Sequence, residues 1–202
     1  MAFTTIAEMT AEVVDWCNGG LTNTQAESLI TLAEDRIYRE IRVKAMEAQS
    51  SIAISSGVAA VPSTLIEVKD IHLSSNPKYP LQRKTPDWIY SNYPNRAETA
   101  VPMFFAREGS NFIFGPNASD SYTVVVNYYA RPVTAVGGTL SGILLSSPGL
   151  LLYAALAEAE VYLGRDSRLQ VWETKYQQLK ELVLKEDRNE RFSGSPLTVT
   201  TS

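Results

Sequence analysis

The sequence predicts an α+β protein. Helical patterns open and close the chain, and a stretch rich in β-branched and aromatic residues, broken by Gly and Pro, lies between them. The expected organisation follows from that order. Residues 1–48 and 147–191 form one helical domain, N-terminal helices packed with a C-terminal antiparallel helix pair. Residues 49–146 are an inserted, mostly antiparallel β-rich region, and 192–202 an extended tail.

Each element has its own signal. Thr5-x-x-Glu8 is a capping box that opens a helix over 6–17, and Asn18-Gly19-Gly20 ends it. Thr24-x-x-Glu27 reads as a second box. The helix it opens carries Ala26, Leu29, Ile30, Ala33, Ile37 and Ile41 in one stripe and runs almost directly into strand chemistry at about 49. Strands are expected over 49–61 and 66–73. Thr85-Pro86-Asp87 pairs a cap with a proline at the first helical position, opening a short helix with Trp88 and Tyr90. A meander follows over 103–107, 111–114 and 122–131, the last rich in Val and Tyr. Residues 133–146, with Gly137, Gly138 and Gly142, read as a long loop. Ser147-Pro148 repeats the cap-then-proline signal for a helix to 163. Gly164-Arg165 makes a corner, and Asp166 caps a last helix to about 187.

Composition narrows function. The chain has 202 residues, 45% hydrophobic and 20% charged, with a net charge of −4. No basic excess is present to hold nucleic acid by counterion release. Cys17 is the only cysteine, so no intrachain disulfide forms. The N-terminus lacks the pattern of a signal peptide, and the apolar run at 150–156 is too short to span a bilayer. A non-secreted protein with no membrane contact is expected.

Catalytic chemistry finds little support. His72 is the only histidine and sits in a strand pattern, where it reads as a strand-edge residue. One Cys and one His cannot close a zinc site, and Gly137-Gly138-Thr139 lacks the lysine of a phosphate loop. Glu158 and Glu160 read as exposed helix surface. No enzyme activity, metal or cofactor is expected.

The surfaces are more informative. Arg36, Arg39, Arg42 and Lys44 alternate with Asp35, Glu40 and Glu47. Pairs at i,i+4, Asp35–Arg39 and Glu40–Lys44, make this a salt-bridged face, solvated or between subunits, rather than a DNA grip. Leu169, Trp172, Tyr176, Leu179 and Val183 form a short a/d seam suited to packing on the preceding helix. Trp88, Tyr90 and Tyr93 form an aromatic cluster near the sheet.

Four stretches together carry a resemblance. They are AESLITLAEDRIYREIRVKAMEAQSSIAI, VPSTLIEVKDIHL, FIFGPNASDSYTVVVNYYARP and SSPGLLLYAALAEAEVYLGRDSRLQVWETKYQQLKELV. In that order and spacing the chain resembles the head–tail adaptor (connector or head-completion) proteins of tailed bacteriophages. The resemblance implies a non-catalytic homo-oligomeric ring, commonly a dodecamer, in the virion neck. It would join the portal protein to tail or nozzle proteins and extend the DNA channel without sequence-specific binding. The protein would be made in the host bacterial cytoplasm. The alternative is a tail-side neck or tail-completion protein that does not touch the portal. On the adaptor reading, Leu197, Thr198, Val199 and Thr200 are the candidate portal-binding tail, able to add a strand to the portal or a neighbour. Arg36, Arg39, Arg42 and Lys44 are the candidate inter-subunit face, and Trp88, Tyr90, Gly137, Gly138 and Leu140 the candidate tail-side contacts.

Overall fold

The computed structural model describes residues 3–75, 77–94, 99–131, 138–140 and 142–192. Along the chain come α1 (Ile6–Trp16), α2 (Asn23–Glu40), a 3-10 turn (Lys44–Met46), β1 (Glu47–Ala53), β2 (Val58–Ala60) and β3 (Leu65–Leu73). The short strands β4 (Tyr79–Pro80) and β5 (Gln82–Arg83) precede α3 (Pro86–Asn92). Then follow β6 (Thr99–Ala100), β7 (Phe104–Glu108), β8 (Asn111–Gly115), β9 (Asn117–Ala118) and β10 (Thr123–Ala130). Three helices close the described chain: α4 (Ile143–Ser146), α5 (Pro148–Leu163) and α6 (Asp166–Phe192). The fold class is α+β, with mostly antiparallel sheets. Two compact units result, residues 1–46 with 132–202, and residues 47–131.

In the helical unit α5 is apolar on nearly every side. Leu150, Leu151, Leu152, Ala154, Ala155, Leu156, Ala157 and Ala159 are all buried, as a core helix requires. Helices α1, α2, α4 and α6 pack around it. Gly164, at φ 64, takes the left-handed cap that ends α5, and α6 returns antiparallel. The return puts Glu160 beside Trp172 at one end and Gly149 against Leu179 at the other. The a/d seam of α6 faces inward at Tyr176 and Val183.

Several local expectations change. The box that opens α2 is Thr22 with Gln25, not Thr24 with Glu27; both of its hydrogen bonds form. Helix α2 stops at Glu40, and six residues separate it from β1. The helix ends because the chain turns inward there. Ile41, Val43 and Met46 are buried, and the Arg42 guanidinium donates to the carbonyls of Tyr38 and Ile41. Ser147 makes no side-chain cap. It also closes α4, its N–H donating to Ile143 O at 2.9 Å, and Pro148 alone marks the start of α5. The described part of the expected loop belongs to the helical unit. Ile6 N donates to Gly138 O, Leu140 N donates to Thr4 O, and Thr139 bridges Thr5.

The β unit holds two four-stranded sheets, ordered β1-β10-β3-β4 and β2-β8-β7-β5. The chain joins them at both edges. It turns from β1 to β2 through the Ser55–Val58 bridge, and passes from β4 to β5 through Leu81, whose N–H donates to Ile71 O. The inward faces make one apolar interior with Ile71, Leu73, Phe105, Phe112, Phe114, Val124 and Val126. Alternation along β10 puts Val124, Val126 and Tyr128 inside and leaves Asn127 to bond Gln49 and Asp70 on the other face. Helix α3 covers β7 and β8 through Ile89, Ala106 and Ile113. It lies so close that a Cβ on Gly115 would meet the Tyr93 ring at 2.9 Å.

Candidate assembly surfaces

The basic residues of α2 do not form one face. Arg36 reaches across the helical unit to Glu173 on α6 at 2.6 Å and to Glu40 at 3.1 Å, with Glu158 on α5 at 3.8 Å. Its guanidinium lies over the Tyr176 ring, 4.5 Å from the centroid. Glu40 also accepts from Lys180 Nζ at 2.8 Å and from the Tyr176 hydroxyl at 2.9 Å. Lys44 lies beyond the end of α2, so the expected Glu40–Lys44 helix pair gives way to contacts with α6. Lys44 Nζ pairs with Glu190, and Lys44 N donates to Asp187. Partners therefore advance together along the two helices, 36 with 173, 40 with 176 and 180, 44 with 187 and 190, so α6 runs parallel to α2. Arg42 serves the carbonyls at the end of α2, and Arg39 is exposed.

This network shifts its members. Partial burial alone would raise the Glu40 carboxyl, but hydrogen bonds from Lys180, Arg36 and Tyr176 outweigh it and hold it below the usual range. The Arg36 hydrogen bond, opposed by burial, holds Glu173 low as well. Burial, then the Glu40 acceptor, pushes the Tyr176 hydroxyl up.

Glu160 overturns an expectation. It is 1% exposed, not helix surface. Its Oε1 accepts from Arg168 at 3.1 Å and Trp172 Nε1 at 3.3 Å, whereas Oε2 is buried with no hydrogen-bond partner. Trp172 stacks on Tyr153 and meets Trp16, so a carboxylate sits beside an aromatic cluster at the α5–α6 corner. Burial, then the nearby Glu160 charge, raises the Cys17 thiol above its usual range.

In the β unit, His72 lies on β3, between β10 and the short β4 rather than at an outer edge. Its Nδ1 is 3.3 Å from Asp70 and its Nε2 is buried without a partner. Trp88 packs edge-on to Phe104 and Tyr93, beneath Lys84. Tyr90 points elsewhere and donates to Glu108 at 2.8 Å. Gly138 and Leu140 belong to the helical unit. Leu140 is 1% exposed, so its side chain is core rather than a docking surface. Gly137 and the tail residues Leu197, Thr198, Val199 and Thr200 lie outside the described residues.

One surface escaped the sequence reading. A groove of about 350 Å³ in the β unit is lined by Tyr79, Pro80, Val101, Pro102, Met103 and Phe104, with Gln82 as a polar member. Tyr79 is 53% exposed, Val101 45% and Met103 60%. The signal was available. Val101-Pro102-Met103 places apolar residues around a proline just outside a strand, where core burial does not require them. Among the described residues no group of three or more His, Cys, Asp or Glu could hold a metal ion, and no helix is long and apolar enough to cross a membrane.

The family model described as SU10 adaptor protein matches residues 4–200, almost the whole chain and both units. The chain belongs to the SU10 adaptor protein family. This is a phage head–tail adaptor family, so the protein is a structural phage component, as the four sequence stretches implied. No curated protein matches the chain.

Proposed function

We propose that this adaptor forms a homo-oligomeric ring in the virion neck, between the portal and the tail, and continues the DNA channel. The observation that carries this reading is the family match across residues 4–200, which takes in the helical and the β unit alike. Two features support it. Exposed large apolar side chains occur on both units, Val161, Tyr162, Val171 and Leu182 on one and Tyr79, Val101 and Met103 on the other, and such surface is suited to partners. The net charge of −4 suits a channel through which DNA slides without being gripped.

The helical unit, whose α2, α5 and α6 meet in the Arg36 network, is the ring-building part on this reading. The β unit presents its groove and aromatic helix to other virion components. The test is co-expression with the portal protein of the same genome and affinity capture through a tagged portal. Retention of the chain supports the adaptor. Loss of the chain from the portal, with capture by a tagged tail protein instead, would assign it to the tail side of the neck.

A further inference from the structure

We propose that the apolar groove of the β unit holds the C-terminal segment of a neighbouring copy, residues 196–200, with Leu197 and Val199 seated against Val101 and Met103. This rests on the ring reading above.

Three observations point to that occupant. The groove is concentrated: three of the four exposed large apolar residues described in residues 47–131, Tyr79, Val101 and Met103, line it. Among the described residues its lining carries no charged side chain, and Gln82 and the Tyr79 hydroxyl are its polar side-chain groups. It therefore selects an uncharged, apolar-faced partner, since a buried charge without a counter-ion is costly.

The chain contains such a segment beyond the end of α6. Residues 193–202 read SGSPLTVTTS, with no charged side chain. Leu197 and Val199 are two apart, so an extended chain puts both on one side, with Thr198 and Thr200 opposite. Val101 and Met103 have the same spacing on the groove wall. Ten extended residues span roughly 33 Å. A tail passed to the adjacent copy is a heterologous contact, which on ring closure fills every groove once. The segment's Leu, Val and Thr residues are β-capable, which suits strand-like addition to a neighbour.

The test uses full-length chains and engineered thiols. Cys17 is buried, so it stays silent under mild oxidation. One chain carries Met103→Cys and a second carries Val199→Cys or Leu197→Cys. They are mixed, oxidised and run without reductant. The expected result is a disulfide-linked heterodimer from the mixture. A control replaces Met103→Cys with Leu145→Cys, which is exposed on the helical unit, and should give only background. Adding Val101→Asp to the Met103→Cys chain should cut the heterodimer to that background. No heterodimer above control overturns the proposal, as does a link formed only within one chain carrying both thiols. Native mass separates the two claims. A ring without the crosslink removes the groove assignment alone, whereas no ring, with or without portal, removes the ring reading too.

Discussion

The two units of this adaptor are held together in different ways. The helical unit surrounds one apolar helix and then ties its outer helices with charge, Arg36 and Lys44 reaching from α2 and its end to α6. Among the described residues of the β unit, the pairs Lys69–Glu47 and His72–Asp70 form no comparable network across its layers. Its two sheets close at both corners around Phe105, Phe112, Phe114 and the Val residues of β10. Charged pairs on its outer face, such as Lys69–Glu47, lie along a sheet rather than between layers. Charge is directional and pH-dependent, whereas apolar burial is neither. The helical unit should therefore respond to acid, and the β unit to lost volume.

The largest effect is expected from Phe112→Ala. Phe112 is fully buried, and its removal leaves a cavity that costs about 3–5 kcal/mol. Hydrogen exchange should show the loss in β7, β8 and β10, with α5 amides still protected. Equal loss in both units would erase the comparison.

Arg36→Met tests the other side. It removes the arm shared by Glu173, Glu40 and Glu158, which are partly exposed, so the cost at neutral pH is on the order of 1–2 kcal/mol. The sharper readout is pH. Glu40 and Glu173 have folded values below their ordinary 4.5. The folded state thus binds fewer protons, so the stability they add is complete above that value and is lost as pH falls through the lower folded values. Denaturant titrations at pH 7 and near pH 3 should show a smaller acid loss in Arg36→Met than in the parent chain. An identical acid loss would mean the network does not set the helical unit's acid response.

Thr22→Ala should cost about 1 kcal/mol through the lost α2 cap, and Thr24→Ala clearly less. The reverse order would restore Thr24 as the cap. Met103→Asp is expected to change folding stability by less than about 0.5 kcal/mol, because the side chain is exposed. Any effect should instead appear in assembly, read as ring yield by size-exclusion chromatography.

The sequence made some of this legible and hid the rest for physical reasons. Thr5-x-x-Glu8, Thr85-Pro86 and the Val-rich run of β10 are local signals, and α1, α3 and β10 form where they point. The cap of α2 was ambiguous because Thr22-Asn-Thr24 offers two hydroxyls at box spacing; the helix starts from Thr22, with Leu21 before it and Ala26 after it both buried. Glu160 looked like surface because carboxylates usually are. Its burial depends on Arg168 and Trp172, which come from the next helix. Arg36 looked like one of a basic row, yet two of its partners, Glu158 and Glu173, lie on α5 and α6, more than a hundred residues away. The groove joins Tyr79 to Met103, segments brought together where β5 pairs with β7 and Gln82 N donates to Met103 O. Local chemistry marked the elements, and tertiary pairing decided which side chains remained available.

The most direct test of the adaptor account is the native mass of the complex purified after co-expression with the portal of the same genome. The account predicts a portal ring carrying a closed set of these chains, with one stoichiometry and no ladder of partial occupancies. Portal rings and free chains found only as separate masses would contradict it.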